Sequence, residues 1–330
     1  MQIRKLNITE HGATRPLYEE VFSEDSSSFV DYYYSIKTKD NTIVVGEEDE
    51  AVQAMIHLNP YTLMVNGKEE PAHYIVAVAT RKKYRKRGYM AALLKEALHD
   101  MYKDGEPFTF LMPASESIYQ PHGFRTVYEQ ESRWLTRAEC AECSLRIAEE
   151  KDCEVIASFA EHTLSEYSDV YVKRTPDYYR RLLKEYESDG GSLAIDEQNG
   201  EIRDLRPVAL EAETGRPKIM VRIIYLERML QILDLNYLTA ACFHVTDPLI
   251  EENNKCLMLT GTEFSGVILM PGRPENSEGT LTIDALGSLI FGSKTVEEIA
   301  GEKGVIMTER LKGELKKIVP LSRIFLNEIV

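Results

Sequence analysis

The chain has 330 residues, 43% of them hydrophobic and 28% charged, which is the composition of a globular protein too long for most single cores. Its 39 basic side chains against 54 acidic ones leave a formal net charge of −15, and such a surface repels nucleic-acid phosphate. The same acidity either serves solubility alone or draws in a cationic substrate, such as a polyamine or a Lys side chain.

Residues 1–20 lack the apolar run of a signal peptide, and no later stretch is apolar enough to span a bilayer, so a cytoplasmic protein without a membrane is expected. Gln2–Asn7 alternates as an edge strand. Helices follow over Ala13–Phe22, with Pro16 in the first turn, and over Ser28–Lys39. Thr42–Gly46, Val52–Asn59 and Tyr61–Val65 read as strands, with Pro60 marking a bend. Asn66-Gly67 is a two-residue hairpin turn, and His73–Ala79 is apolar enough for a central strand covered on both faces. Gly88–Met101 is a helix with Met90, Leu94, Ala97 or Leu98, and Met101 on one side. A buried strand at Phe108–Met112 comes next, then a short helix at Glu116–Gln120 ended by Pro121 and Gly123. Phe124–Tyr128 and Ser132–Leu135 read as a closing strand pair.

Cys140 and Cys143 have C-x-x-C spacing, but no second pair follows; with 5 cysteines at irregular intervals, reduced thiols and no metal are expected. Helices over Ala157–Glu166 and Pro176–Glu187 follow, the second with Thr175 as N-cap. Residues 196–217 are polar and turn-rich, like a linker. Met220–Ile232 reads as an amphipathic helix. Strand signals then fall at Ala241–Val245, Lys255–Thr260, Gly266–Met270 and Gly279–Ile283. Thr295 and Glu298 fit a capping box, Glu309–Ile318 is a last helix, and the chain ends on an apolar tail.

The chemistry concentrates at Thr80–Gly88. A buried strand runs into the basic loop Arg81–Arg87, and a glycine and a helix follow at once. The first turn of a helix has free N–H groups and a positive dipole end, and Gly88 lets a phosphate approach the backbone closely. Arg85 and Arg87 can add charge-assisted bonds. The implied ligand is a pyrophosphate; the alternative is a solvated basic loop that caps a helix.

Here the residues resemble the acetyl-CoA motif of the GNAT acetyltransferases, Arg/Gln-x-x-Gly-x-Gly/Ala, with Arg85, Gly88 and Met90 at the marked positions. The order β-α-α-β-β-β-α-β-α is also that of the superfamily. Met90 stands where Gly or Ala is usual, which is similar to the enhanced-intracellular-survival (Eis) proteins. Ala114–Phe124 resembles that family's Ser-Glu…Ile-Tyr…Gly-Tyr/Phe segment, and Met220–Ile224 the start of its sterol-carrier-like domain. The resemblance implies an α+β chain built of α/β layers. Residues 1–140 would be a GNAT domain, 141–217 a truncated second GNAT-like region with a linker, and 218–330 a unit like sterol carrier protein type 2.

What the resemblance implies about roles is specific. Val78, Ala79 and Thr80 would offer main-chain groups to the pantetheine arm and the thioester, although they are also plain strand core. Arg85, Lys86, Arg87, Gly88, Tyr89, Met90 and Ala91 would surround the pyrophosphate, with Ser115 beside the cofactor. Tyr119 would be the general acid; the alternative is a ring packed on the core. The C-terminal carboxylate of Val330 would be the base; the alternative is a tail merely packed against its own domain. His57, His73 and His122 are read as structural. The implied activity is acetyl transfer from acetyl-CoA to a primary amine of an aminoglycoside, a polyamine or a Lys side chain, by a homo-oligomer, hexameric in the family. A lipid-binding protein with a vestigial GNAT domain is the competing reading.

Overall fold

The computed structural model describes residues 1–130, 132–210 and 213–328, apart from the side chains of Ser132, Glu213 and Thr214. Its first sheet begins with β1 (Gln2–Lys5), β2 (Thr42–Glu48), β3 (Ala51–Val65) and β4 (Lys68–Thr80), each antiparallel to the next. β5 (Phe108–Leu111) then adds parallel to β4. Asn66 and Gly67 take φ of 50° and 72°, the left-handed pair that a primed two-residue turn needs. β3 runs unbroken through Pro60, where a bend was expected. On that edge the pairing with β2 stops at Leu58, and strand Val170–Val172 joins only at Leu63, so the missing N–H of Pro60 interrupts no ladder there.

Helix α1 (Arg15–Val21) and helix α2 (Ser27–Ser35) cover one face of this sheet, burying Leu17, Tyr18 and Tyr33 against Ile43, Val45 and Met55. Helix α3 (Tyr89–Lys103) covers the other face with Leu93, Leu94, Ala97, Leu98 and Met101. The short helix α4 (Glu116–Tyr119) follows β5.

Two expectations fail beyond α4 for one reason. Strand Lys218–Ile223 inserts between β5 and β6 (Arg125–Glu129), antiparallel to both, and only Leu226–Gln231 of the expected helix is helical. A strand buried on both faces is apolar at nearly every step, so its periodicity imitates a buried helix. Ile219, Val221 and Ile223 enter one core, Met220 and Ile224 the other. β6 therefore pairs with this late strand and not with Ser132–Thr136, which belongs to the second sheet.

That second sheet has the order 213–215, 132–136, 201–209, 192–198, 146–147, with helices Cys153–Tyr167 and Pro176–Ser188 packed on it. Residues 196–217 are thus no linker. Ser192–Gln198 and Glu201–Ala209 form a hairpin whose turn, Asn199-Gly200, holds φ of 55° and 81°. Its strands look polar because much of their surface stays in water.

The third sheet runs Gly266–Pro271, Lys255–Thr262, Thr239–Thr246, Gly279–Thr282, Ile306–Met307. Its core is continuous with the first sheet: Phe110 and Val221 share a cluster with Phe243, Leu286 and Phe291. The apolar tail returns to the first sheet, where Ile324–Phe325 pairs with Val170–Val172. Leu326 and Glu328 are buried, while Val330 lies outside the described residues. No described helix is long and apolar enough to cross a membrane.

Candidate active site

β4 and β5 pair only at Tyr74–Ile75 with Phe110–Leu111, and β4 then continues alone to Thr80. The strands part beyond that pair, and the gap between them is the candidate cleft. Just past the last paired residues β4 carries a bulge: His57 pairs with Val76, but Met55 pairs with Ala79, so Ala77 and Val78 oppose Ile56. Ala77 takes φ of 48°, a conformation costly for a side-chain-bearing residue. A bulge turns main-chain groups out of the ladder. Sequence reasoning missed Ala77, since alanine carries no signal for a left-handed position.

The chain leaves β4 at Thr80 and doubles back, with Arg85 Nε donating to the Thr80 carbonyl at 3.0 Å. Lys86 and Gly88 are left-handed, with φ of 61° and 81°. A Cβ on Gly88 would meet nothing within 4 Å, so its backbone conformation and open face, not packing, ask for glycine. The first main-chain bond of α3 runs from Ala92 N–H to the Gly88 carbonyl at 3.0 Å. The N–H groups from Lys86 to Ala91 thus donate to no acceptor among the described residues, and they crowd the positive end of α3. This cradle fits a pyrophosphate.

Arg85 and Lys86 are exposed beside the cradle, but the Arg87 side chain is committed elsewhere. It donates to Glu48 Oε1 at 3.1 Å and lies over the rings of Tyr84 and Tyr89, 5.0 and 5.3 Å from their centroids. Tyr89 also bonds Glu48, and the Tyr84 hydroxyl donates to Asp49 at 2.8 Å. Arg87 therefore anchors the loop to the β2–β3 turn and offers an anion only its amide.

Tyr119 closes the cleft from the β5 side. It is buried at the end of α4, with its ring edge-on to Phe124 at 5.9 Å. It shares a cluster with Ile75 and Leu111, against which Val78 and Met90 also pack. Burial pushes its phenol up to about 12, so it keeps its proton at neutral pH. Ser115 is exposed one residue before α4, its hydroxyl 2.9 Å from that of Ser117. Ala79 packs in the core on the α1–α2 side. Val78 and Met90 thus pack against the core cluster that holds Tyr119, and Met90 also belongs to the run of unbonded amides.

Comparison with known proteins matches this architecture. Residues 2–127 fit the family model of the acetyltransferase (GNAT) domain, and residues 228–329 that of a sterol carrier protein domain. The chain is an acyltransferase that carries a GNAT domain and a sterol carrier protein domain. A search of curated proteins found no match. Among solved structures, a protein of unknown function from Enterococcus faecalis, described as a probable N-acyltransferase, aligns with a TM-score of 0.79 at 16% identity over 100% of this chain and 99% of its own. A GCN5-related N-acetyltransferase from Anabaena variabilis aligns at 0.76 and 14% identity, over 98% and 99% of the two chains. Eis1 from Mycobacterium abscessus aligns at 0.73 and 13% identity over 100% of both. At these identities the likeness is one of fold.

In this acyltransferase a cavity of about 980 Å³ lies between the first sheet and the second unit. Glu185 accepts from Lys37 Nζ at 3.0 Å and from the Tyr32 hydroxyl at 3.1 Å. Glu328 accepts from Arg174 at 3.1 Å and from the Tyr178 hydroxyl at 2.7 Å, and the Arg174 guanidinium lies 5.1 Å from the Tyr178 ring centroid and 5.0 Å from that of Phe325. Asn59, in the cavity wall, pairs across the sheet with Tyr74, and Tyr74 pairs with Phe110. Asn59 thus stands in the same row of the sheet as Tyr74 and Phe110, next to the point where β4 and β5 part.

The histidines read as structural take structural partners: His57 Nδ1 lies 2.9 Å from the Tyr33 hydroxyl, and His73 Nδ1 lies 2.5 Å from Glu106. Burial lowers the His122 imidazole, with Arg222 adding to the effect. Among the described residues no group of three or more His, Cys, Asp or Glu side chains is set to hold a metal ion.

Proposed function

We propose that this acyltransferase moves an acetyl group from acetyl-CoA to a primary amine in the cleft between β4 and β5. The observation that carries the reading is the run of unbonded amides from Lys86 to Ala91, at the mouth of a cleft that also holds a buried phenol. Acetyl-CoA supplies the acetyl group as a thioester, whose C–S bond breaks as the new C–N bond forms. The loop amides and the exposed Arg85 and Lys86 bind its pyrophosphate. The bulge at Ala77–Val78 aims main-chain N–H groups at the carbonyl oxygen, where charge develops. Tyr119 donates its proton to the departing thiolate, which a phenol held neutral by burial can do. By resemblance, the carboxylate of Val330 takes the proton that the amine loses.

The test is acetyl-CoA titration by calorimetry, followed by thiol release with and without primary amines. Binding, together with amine-dependent thiol release and an N-acetylated product, is expected. Absence of binding at millimolar acetyl-CoA overturns the reading.

A further inference from the structure

Asn59 lies in the cavity wall at 2% exposure, and neither its Nδ2 nor its Oδ1 has a hydrogen-bond partner. Asn41 lines the same cavity at 7% exposure, and its Nδ2 is also unpartnered. Thr42 pairs with Leu58 in the antiparallel ladder, so Asn41 stands beside Asn59 one step further on. A buried polar group left without a partner destabilises the fold, so it is rarely retained without a use. Two neighbouring carboxamides in one cavity wall that leave three such atoms without a partner are groups kept for a ligand.

The charges around them narrow the ligand. Although the chain carries a net charge of −15, the cavity lining holds six acidic and six basic side chains. Its buried carboxylates already have cations, Glu185 with Lys37 and Glu328 with Arg174. The remaining acidic side chains of the lining are paired with Arg or Lys as well. A polycation therefore meets no unpaired carboxylate among the described lining residues. Among the described lining residues, the unpartnered buried atoms are the Asn59 carbonyl oxygen, the NH2 groups of Asn59 and Asn41, Arg174 Nε and the Tyr179 hydroxyl. The oxygen suits an ammonium or amine N–H, and the two NH2 groups suit the oxygens of a carboxylate.

We propose that the acceptor is a primary amine that also carries a carboxylate, an amino-acid-type zwitterion, and that Asn59 and Asn41 are the residues that select it. The proposal rests on the acetyl-transfer reading above. Asn59 pairs with Tyr74, and Tyr74 pairs with Phe110 next to the last β4–β5 pair, so the docking point lies on β3, across β4 from the place where β4 and β5 part.

The experiment uses the full chain and matched pairs of amines. Lysine is compared with cadaverine, and ornithine with putrescine, each diamine being the amino acid without its carboxylate; spermine is the polycation. Thiol release from acetyl-CoA should show a KM about tenfold or more lower for each amino acid than for its diamine, since a site built to hydrogen-bond a group rejects the analogue lacking it. Asn59→Ala should raise the KM for lysine by about tenfold, with the KM for acetyl-CoA unchanged. Asn59→Asp exchanges two donors for an acceptor and should move the preference toward the diamine. Asn41→Ala, further along the wall, gives the same readout where an Asn59 variant melts early. Diamines or spermine used as well as the amino acids, or an unchanged lysine KM in folded Asn59→Ala and Asn41→Ala, overturns the proposal. If no amine is acetylated, calorimetry of lysine binding to the CoA-loaded protein decides separately. Heat that Asn59→Ala abolishes upholds the docking site while removing the acetyl-transfer reading; absence of heat overturns the docking site.

Discussion

Arg222 and Asp247 form an ion pair at 2.6 Å with both side chains wholly out of solvent. Arg222 belongs to the strand that completes the first sheet, and Asp247 follows strand Thr239–Thr246 of the third. Arg222 Nε also donates to the His122 carbonyl at 2.8 Å, three residues past Tyr119. Asp247 accepts from the amides of Leu249 and Ile250 and from Asn253 Nδ2. The sterol carrier domain thus holds the turn that follows the proposed acid.

Asp247→Ala strands a buried guanidinium and is expected to cost about 3–5 kcal/mol in chemical denaturation. Replacing both partners, with Arg222→Met and Asp247→Leu, should recover most of that loss, because no charge is then left unpaired. A double variant no more stable than Asp247→Ala alone would show that packing or the Asp247 caps, not the pair, carry the effect.

Much of this was legible in the sequence, and the failures share a cause. The hairpin at Asn66-Gly67, the helix after Gly88 and the N-cap at Thr175 rest on short-range chemistry, and each appears where the residues point. Lys218–Ile223 misled because its neighbours come from far away in the chain: β5 and β6 cover its two edges and two cores cover its faces. The loop's phosphate chemistry was legible, but the engagement of Arg87 with Glu48 was not, since only the fold brings the β2–β3 turn to the loop. The unmet carboxamides of Asn41 and Asn59 were likewise invisible, because nothing in a sequence says which buried amide lacks a partner.

Gly88→Ala tests the loop. With φ of 81° and open space around its Cβ, the new methyl meets no protein atom, so the cost is conformational and falls on the cradle. A strain of about 1–2 kcal/mol corresponds to a roughly tenfold weaker acetyl-CoA affinity if it is relieved by moving the loop. Calorimetry should show this loss, with KM for the amine little changed. Equal affinity in the variant would remove the Gly88 backbone from the site.

His57 should set part of the acid stability. Burial, aided by His11, lowers its imidazole to about 3. An unfolded imidazole takes up a proton near 6.5. Below that pH the unfolded chain holds a proton that the folded chain refuses, so this contribution is complete above pH 6.5 and is lost as the pH falls toward 3. The slope is about 1.4 kcal/mol per pH unit within that window. His57→Gln should flatten the stability profile there by that slope, whatever its own packing cost. An unchanged slope would mean that His57 is protonated in the folded protein.

Tyr119→Phe keeps the ring against Phe124 and removes only the acidic proton. Turnover should fall by about 10²–10⁴-fold, with acetyl-CoA affinity unchanged, because the phenol acts on the leaving thiolate and not on binding. The wild-type pH profile adds a second check. An ordinary phenol near 10 would impose a falling limb there, whereas one pushed up to about 12 leaves kcat free of that limb between roughly pH 7 and 10. Extending the chain beyond Val330 by a short tag moves the carboxylate that the resemblance assigns as base, and it should lower kcat at unchanged acetyl-CoA affinity. A tagged protein with full turnover removes that carboxylate from the reaction, while a Phe variant with full turnover removes the acid. The two results are independent, so each proton of the transfer can be assigned or lost on its own.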